Sequence, residues 1–164
     1  MIARVIVVVL LIACGSAPPP PTRAPEPTER TRAALPAEIQ TLLPSRGVYL
    51  AGGGEKSPVF RVVVDTDAKT IVTGSAPPGS MLHGPMTDER TRELTPPNEQ
   101  HLMKLCADAW SEPLPAAAEE RVVGYDEFLV IADGDRVFFL QGRGPIKRPR
   151  AVKAIEALRA AAAL

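Results

Sequence analysis

Aromatic side chains make up only 4% of this 164-residue sequence, histidine and cysteine each occur twice, and neither sign of charge is in excess. Each shortage excludes something. A formal net charge of zero disfavours a nucleic-acid partner, because that binding is driven by clustered positive charge. His83 and His101 lie on different elements with no cysteine or carboxylate set at ligand spacing, so neither a metal nor a cofactor is expected. The apolar run of residues 5–13 covers about 14 Å as a helix, about half of a hydrocarbon core, so a retained transmembrane helix is not expected. No Gly-x-Ser-x-Gly elbow is present and no Ser/His/Asp set is nominated by spacing, which points away from an enzyme. The run Gly52-Gly53-Gly54-Glu55-Lys56-Ser57 is not a phosphate loop, since Glu55 replaces the glycine needed before the lysine; it reads as a turn.

What is present begins at the N-terminus. Arg4 supplies a positive n-region, residues 5–13 an apolar h-region, and Ala13 a small residue at a cleavage position, the pattern of a signal peptide. Leu11-Ile12-Ala13-Cys14 resembles the lipobox of bacterial lipoproteins, with Ile12 where the pattern more often has Ala, Ser, Thr or Val. The resemblance implies removal of residues 1–13 and acylation of Cys14 by chains such as palmitate. Each buried methylene contributes about 0.8 kcal/mol, so several chains anchor the protein stably in the cell envelope. Gly15, rather than aspartate, implies the outer membrane if the organism has two. The alternative is an ordinary secretory signal cleaved near Ala17, with Cys14 discarded. With Cys14 lipidated, Cys106 is the remaining thiol and no intramolecular disulfide can form.

Residues 14–33 read as the lipidated cysteine and a tether. Pro18, Pro19, Pro20, Pro21, Pro25 and Pro27 favour polyproline II, and Arg23, Glu26, Glu29, Arg30 and Arg32 keep the segment solvated. At about 3.1 Å per residue it reaches roughly 60 Å, enough to lift a domain off the headgroups.

Residues 34–164 are expected to form a single α+β domain. Leu35, Ile39, Leu42 and Leu43 mark a short amphipathic helix ending at Pro44. Residues 47–51, 59–65 and 70–73 read as strands, and 74–95 as a loop broken by prolines and glycines. Thr95 and Pro96 open a helix through Trp110 with Leu102, Leu105, Cys106 and Ala109 on its apolar face. Residues 127–132 and 136–141 form a hairpin through Asp133-Gly134-Asp135, and Val152, Ile155, Leu158 and Ala162 line a last helix. The expected architecture is a small antiparallel sheet of four to five strands with two or three helices on one face.

Few residues suggest chemistry. Asp65-Thr66-Asp67 and Asp133-Gly134-Asp135 read as turn residues rather than calcium ligands, His83 as an exposed loop residue, and Cys106 as core rather than nucleophile. Arg143, Lys147, Arg148, Arg150 and Lys153 cluster at the start of the last helix, where positive charge opposes the helix dipole. They are a candidate patch for acidic headgroups, cell-wall carboxylates or an acidic protein; the bland reading is a solvated surface balanced by Glu119, Glu120, Asp126 and Glu127.

One further resemblance covers roughly residues 48–158. Gly52-Gly53-Gly54, the strand ending Val64-Asp65, the helix with Leu102 and Leu105, then Tyr125, Phe128, Asp133-Gly134 and a final helix after proline resemble emfourin-type inhibitors of thermolysin-like proteases. The aromatic that follows the paired glycines in that family is absent, Glu55 standing nearby, and the loop from Gly74 departs from the pattern, so no inhibitory residue is carried over. The leading expectation is a lipid-anchored envelope protein, a non-catalytic binding or structural module facing an envelope protein or cell-wall partner. Protease inhibition, and an enzyme whose residues converge only in the fold, are the alternatives.

Overall fold

The computed structural model describes residues 29–113 and 122–162. Cys14 and most of the proline-rich tether lie outside them.

Among the described residues a sheet of seven antiparallel strands forms the frame, in the order β1 (Glu29–Thr31), β7 (Arg136–Gly142), β6 (Tyr125–Asp133), β2 (Arg46–Gly54), β3 (Val59–Asp65), β4 (Thr70–Ala76) and β5 (Asp88–Glu93). Its middle is β2 (Arg46–Gly54) against β6 (Tyr125–Asp133), paired over nine positions from Arg46↔Asp133 to Gly54↔Tyr125. β3 (Val59–Asp65) and β4 (Thr70–Ala76) continue one side, and β7 (Arg136–Gly142) continues the other. β3 shows why the sheet is buried on both faces. Phe60, Val62 and Val64 point to one side and Val59, Arg61 and Val63 to the other, and β-branched residues suit a pleated surface packed on both.

Two cores result. On one face α2 (Pro96–Trp110) and α3 (Pro149–Ala162) bring Leu102, Cys106, Ala154, Ile155 and Leu158 onto Val48, Leu50, Leu129, Ile131 and Phe138. On the other, α1 (Ala37–Leu42) brings Ile39, with flanking Leu35 and Leu43, onto Tyr49, Phe128, Val130 and Phe139, and Leu82 packs beside them. The helices therefore do not share one face: α1 packs on the side of the sheet opposite α2 and α3, and β2 supplies apolar side chains to both.

Three further expectations are corrected. The sheet has seven strands rather than four or five. One added strand is β5 (Asp88–Glu93), inside the stretch read as loop; all of its residues, Asp-Glu-Arg-Thr-Arg-Glu, are exposed, so it carries no apolar alternation to read. It pairs with β4 from Thr70↔Glu93 to Ser75↔Asp88, and its charges discourage edge-to-edge association. The other is β1 (Glu29–Thr31), within the stretch read as tether. Glu29 Oε1 accepts from Arg136 at 3.0 Å, Glu29 Oε2 accepts from the Trp110 indole at 3.1 Å, and the Arg30 guanidinium lies 4.6 Å over the Phe139 ring. A short strand is added because those side chains have partners across the edge.

The third correction concerns the triple glycine, which ends β2, so the turn read over residues 52–57 is confined to its second half, where Gly54 and Ser57 exchange backbone hydrogen bonds. Gly53 has φ +148°, and a Cβ there would lie 2.7 Å from Val59 Cα; one on Gly54 would lie 1.7 Å from the Gly124 carbonyl oxygen. Backbone passes too close to backbone for any side chain. By contrast the hairpin at Gly134, φ +64°, was legible, and a Cβ there meets nothing within 4 Å.

Gly54→Ala is expected to cost about 2–4 kcal/mol, because a neighbouring backbone must move, whereas Gly134→Ala costs about 1–2 kcal/mol for its left-handed conformation alone. Urea unfolding of the two variants gives the order directly; a smaller loss at Gly54 would contradict the close approach.

Candidate functional site

The loop from Gly142 to α3 carries the basic cluster, and the structure divides it. Arg148 is buried at 5% exposure. Its Nη2 donates to the carbonyls of Glu112 at 2.6 Å and Pro113 at 3.2 Å, and its guanidinium lies 5.7 Å over the Phe138 ring. Arg148 is thus an internal cation, not part of a surface for a partner, because its aliphatic stem and charge both find places under the loop. Arg143, Lys147, Arg150 and Lys153 are exposed.

Glu112 offsets the unfavourable placement of these cations at the start of the α3 dipole. Its carboxylate accepts the N–H groups of Arg150 and Ala151, each at 3.2 Å, and so places negative charge at the positive end of α3. Arg150 Nη1 donates to Ser111 Oγ at 3.2 Å. A cap supplied from 38 residues away in the chain has no signature in local sequence.

Of the four acidic residues expected to balance the patch, Glu119 and Glu120 lie outside the described residues, Asp126 is half-buried, and Glu127 is turned inward with 2% exposure. Its Oε2 accepts the Ile146 N–H at 2.8 Å and its Oε1 meets Arg159 Nη2 at 2.8 Å. Arg159 in turn lies 4.6 Å over the Phe60 ring. Burial, then the Glu127 charge, raises the Tyr125 hydroxyl above the usual phenol range. Sequence reasoning missed this group, although one signal was there: Glu127 shares strand parity with Leu129 and Ile131 and so faces the α2–α3 core.

His83 is not a free loop residue. Its Nδ1 lies 2.6 Å from the hydroxyl of Tyr49, and its ring meets Phe128 edge-on with centroids 4.9 Å apart. Tyr49 is fully buried, and burial holds its hydroxyl protonated far above the usual range. Close by, the buried Arg61 donates to the Gly84 carbonyl at 3.0 Å and to Glu89 at 3.2 Å. Residues 82–84 are therefore fastened to the second sheet face.

The remaining chemistry is quiet. Cys106 is buried, and burial pushes its thiol up to about 12, so it stays protonated at neutral pH. Asp65 behaves as a turn residue, its Oδ1 accepting the N–H groups of Asp67 and Ala68 at 2.9 and 2.8 Å. A cleft of about 370 Å³ beside α2 is lined by Met103, Trp110 and Ile131, with Arg46 facing Asp133 at 3.4 Å and Lys69 facing Glu99 at 2.7 Å. Among the described residues no group of three His, Cys, Asp or Glu is placed to hold a metal ion. No helix among them is long and apolar enough to cross a membrane.

The folded part is thus an α+β domain whose inward charges serve its loops and helix ends. No family model, no curated protein and no solved structure matches the chain.

The Glu112 carboxylate also lies 3.7 Å from Arg148 Nε, so Glu112→Ala removes both this partner and the α3 cap, an expected loss of about 3 kcal/mol; adding Arg148→Met should cost less than the sum of the single changes. Additive losses in a double-mutant cycle would show that the two residues act independently.

A second expectation is pH dependence. Burial holds His83 below its ordinary value of 6.5, with Glu38 raising it in part and Arg61 lowering it further. The unfolded chain then takes up the proton more readily, so the stability tied to neutral His83 is complete above about pH 6.5 and is lost as pH falls below it. Unfolding midpoints at about pH 7.5 and 5.5 should differ more for the parent than for His83→Phe. Equal differences would assign the effect to another group.

Proposed function

We propose that this chain is a lipid-anchored, non-catalytic binding or structural module of the bacterial envelope, held through Cys14 and facing a macromolecular partner. The observation that carries the reading is Leu11-Ile12-Ala13-Cys14 at the end of a short apolar run, followed at once by a proline-rich spacer. Gly15 directs the anchor to the outer membrane where there are two. Support for a non-catalytic task comes from how the reactive groups are used: Cys106 stays a thiol in the core, Glu127 and Arg159 fasten the loop before α3, and Glu112 and Arg148 start that helix. Groups committed in this way are poorly placed to turn over a substrate.

The test compares the parent with Cys14→Ser in envelope membranes. The parent should carry acyl mass on its N-terminal peptide and stay with the membrane after a salt wash, and Cys14→Ser should lose the acyl mass. Identical masses for the two N-terminal peptides, apart from the substitution itself, would end the lipoprotein reading. Crosslinking from the same membranes should recover one macromolecule with both forms, and a thermolysin-like protease as that partner would replace the general binding role by inhibition.

A further inference from the structure

Just before β6 the chain exposes two valines, Val123 completely and Val122 at 44%. The Val122 N–H donates to the Arg143 carbonyl, and its side chain covers Gly144, where a Cβ would come within 2.9 Å. This apolar tip is therefore fixed to the loop after β7. The same loop exposes Arg143 and Lys147 and leads to Arg150 and Lys153, exposed at the start of α3. Two nearby carboxylates do little to offset this charge. Glu127 is turned inward to Arg159, and Glu112 is held by the first N–H groups of α3 and by Arg148. Asp126, half-buried beside Arg143, and Glu156, one turn beyond Lys153, offset part of it.

β1 sets a direction. Its register runs from Thr31↔Arg136 to Glu29↔Phe138, so the backbone followed back from Thr31 to Glu29 advances along β7 toward Gly142 and Arg143. The domain's junction with the tether points to the end of the sheet that carries the tip.

We propose that this end of the domain docks on an anionic lipid bilayer, with Val122 and Val123 entering the headgroup boundary and Arg143, Arg150 and Lys153 meeting lipid phosphates. The proposal rests on the lipid-anchor reading, which keeps this surface within reach of a membrane. Cations alone would suit any acidic partner. A fully exposed valine at the tip favours a lipid surface, because apolar groups beside cations are what an anionic interface accommodates.

The test uses the full mature chain from envelope membranes, reconstituted into vesicles of brominated phosphatidylcholine with or without brominated phosphatidylglycerol. Val123→Trp adds a reporter to the signal of Trp110, at a position where the side chain is fully exposed. Docking predicts about twofold stronger quenching of the added indole in the anionic vesicles, reduced to the zwitterionic level by high salt or by Arg143→Glu with Lys153→Glu. No quenching beyond that of the parent, with acyl mass present on Cys14 and circular dichroism unchanged, overturns the docking and leaves the anchor standing. Salt-sensitive quenching by a chain that lacks acyl mass, added to the same vesicles from solution, upholds the docking and overturns the anchor. Neither acyl mass nor quenching overturns both.

Discussion

The ladder between β2 and β6 is the contact that both cores depend on. Its nine pairs put Val48 and Leu50 beside Ile131 and Leu129 on the α2–α3 side, and Tyr49 and Ala51 beside Val130 and Phe128 on the α1 side. A slip of one residue in either strand would exchange the faces, placing Tyr49 or Glu127 against the wrong helices. The close pass of Gly54 by the Gly124 carbonyl, with room for no side chain, holds one end of the ladder in register. The two-residue turn at Gly134 holds the other through β7, since Asp133 pairs with Arg136 across it.

Buried charge then fixes what secondary structure leaves loose. Arg61 fastens residue 84 to the second sheet face, Glu127 holds the chain at Ile146, and Glu112 with Arg148 sets where α3 begins. Desolvating these groups is costly, and each offsets part of the cost with directed hydrogen bonds to backbone. One consequence reaches the surface. Glu127 and Glu112 direct their charge to internal partners, and Asp126 and Glu156 offset only part of the positive charge that the exposed side of that loop keeps next to an apolar tip.

Much of the fold was legible because it obeys local periodicity. The strand Val59–Asp65, the helix Pro96–Trp110 opened by Thr95, and the hairpin at Asp133-Gly134 were readable from β-branched residues bounded by turn signals, helical spacing with proline at its start, and turn chemistry. The edge strands were not. Glu29–Thr31 and Asp88–Glu93 hold no apolar pattern, and their conformation comes from hydrogen bonding to β7 and β4. The triple glycine misled for a related reason: glycine marks a turn and a close backbone pass with the same residue.

The candidate patch separates along the same line. That Arg143, Lys147, Arg148, Arg150 and Lys153 cluster, and that Leu11 to Cys14 resemble a lipidation pattern, are properties of short segments and so of the sequence by itself. Burial of Arg148, the Glu112 cap on α3, the inward turn of Glu127 and the meeting of Val122 with Arg143 were decided only by tertiary structure. The reason is distance along the chain: each joins residues about twenty or more positions apart, and no local propensity encodes which of many charged side chains will find its partner inside.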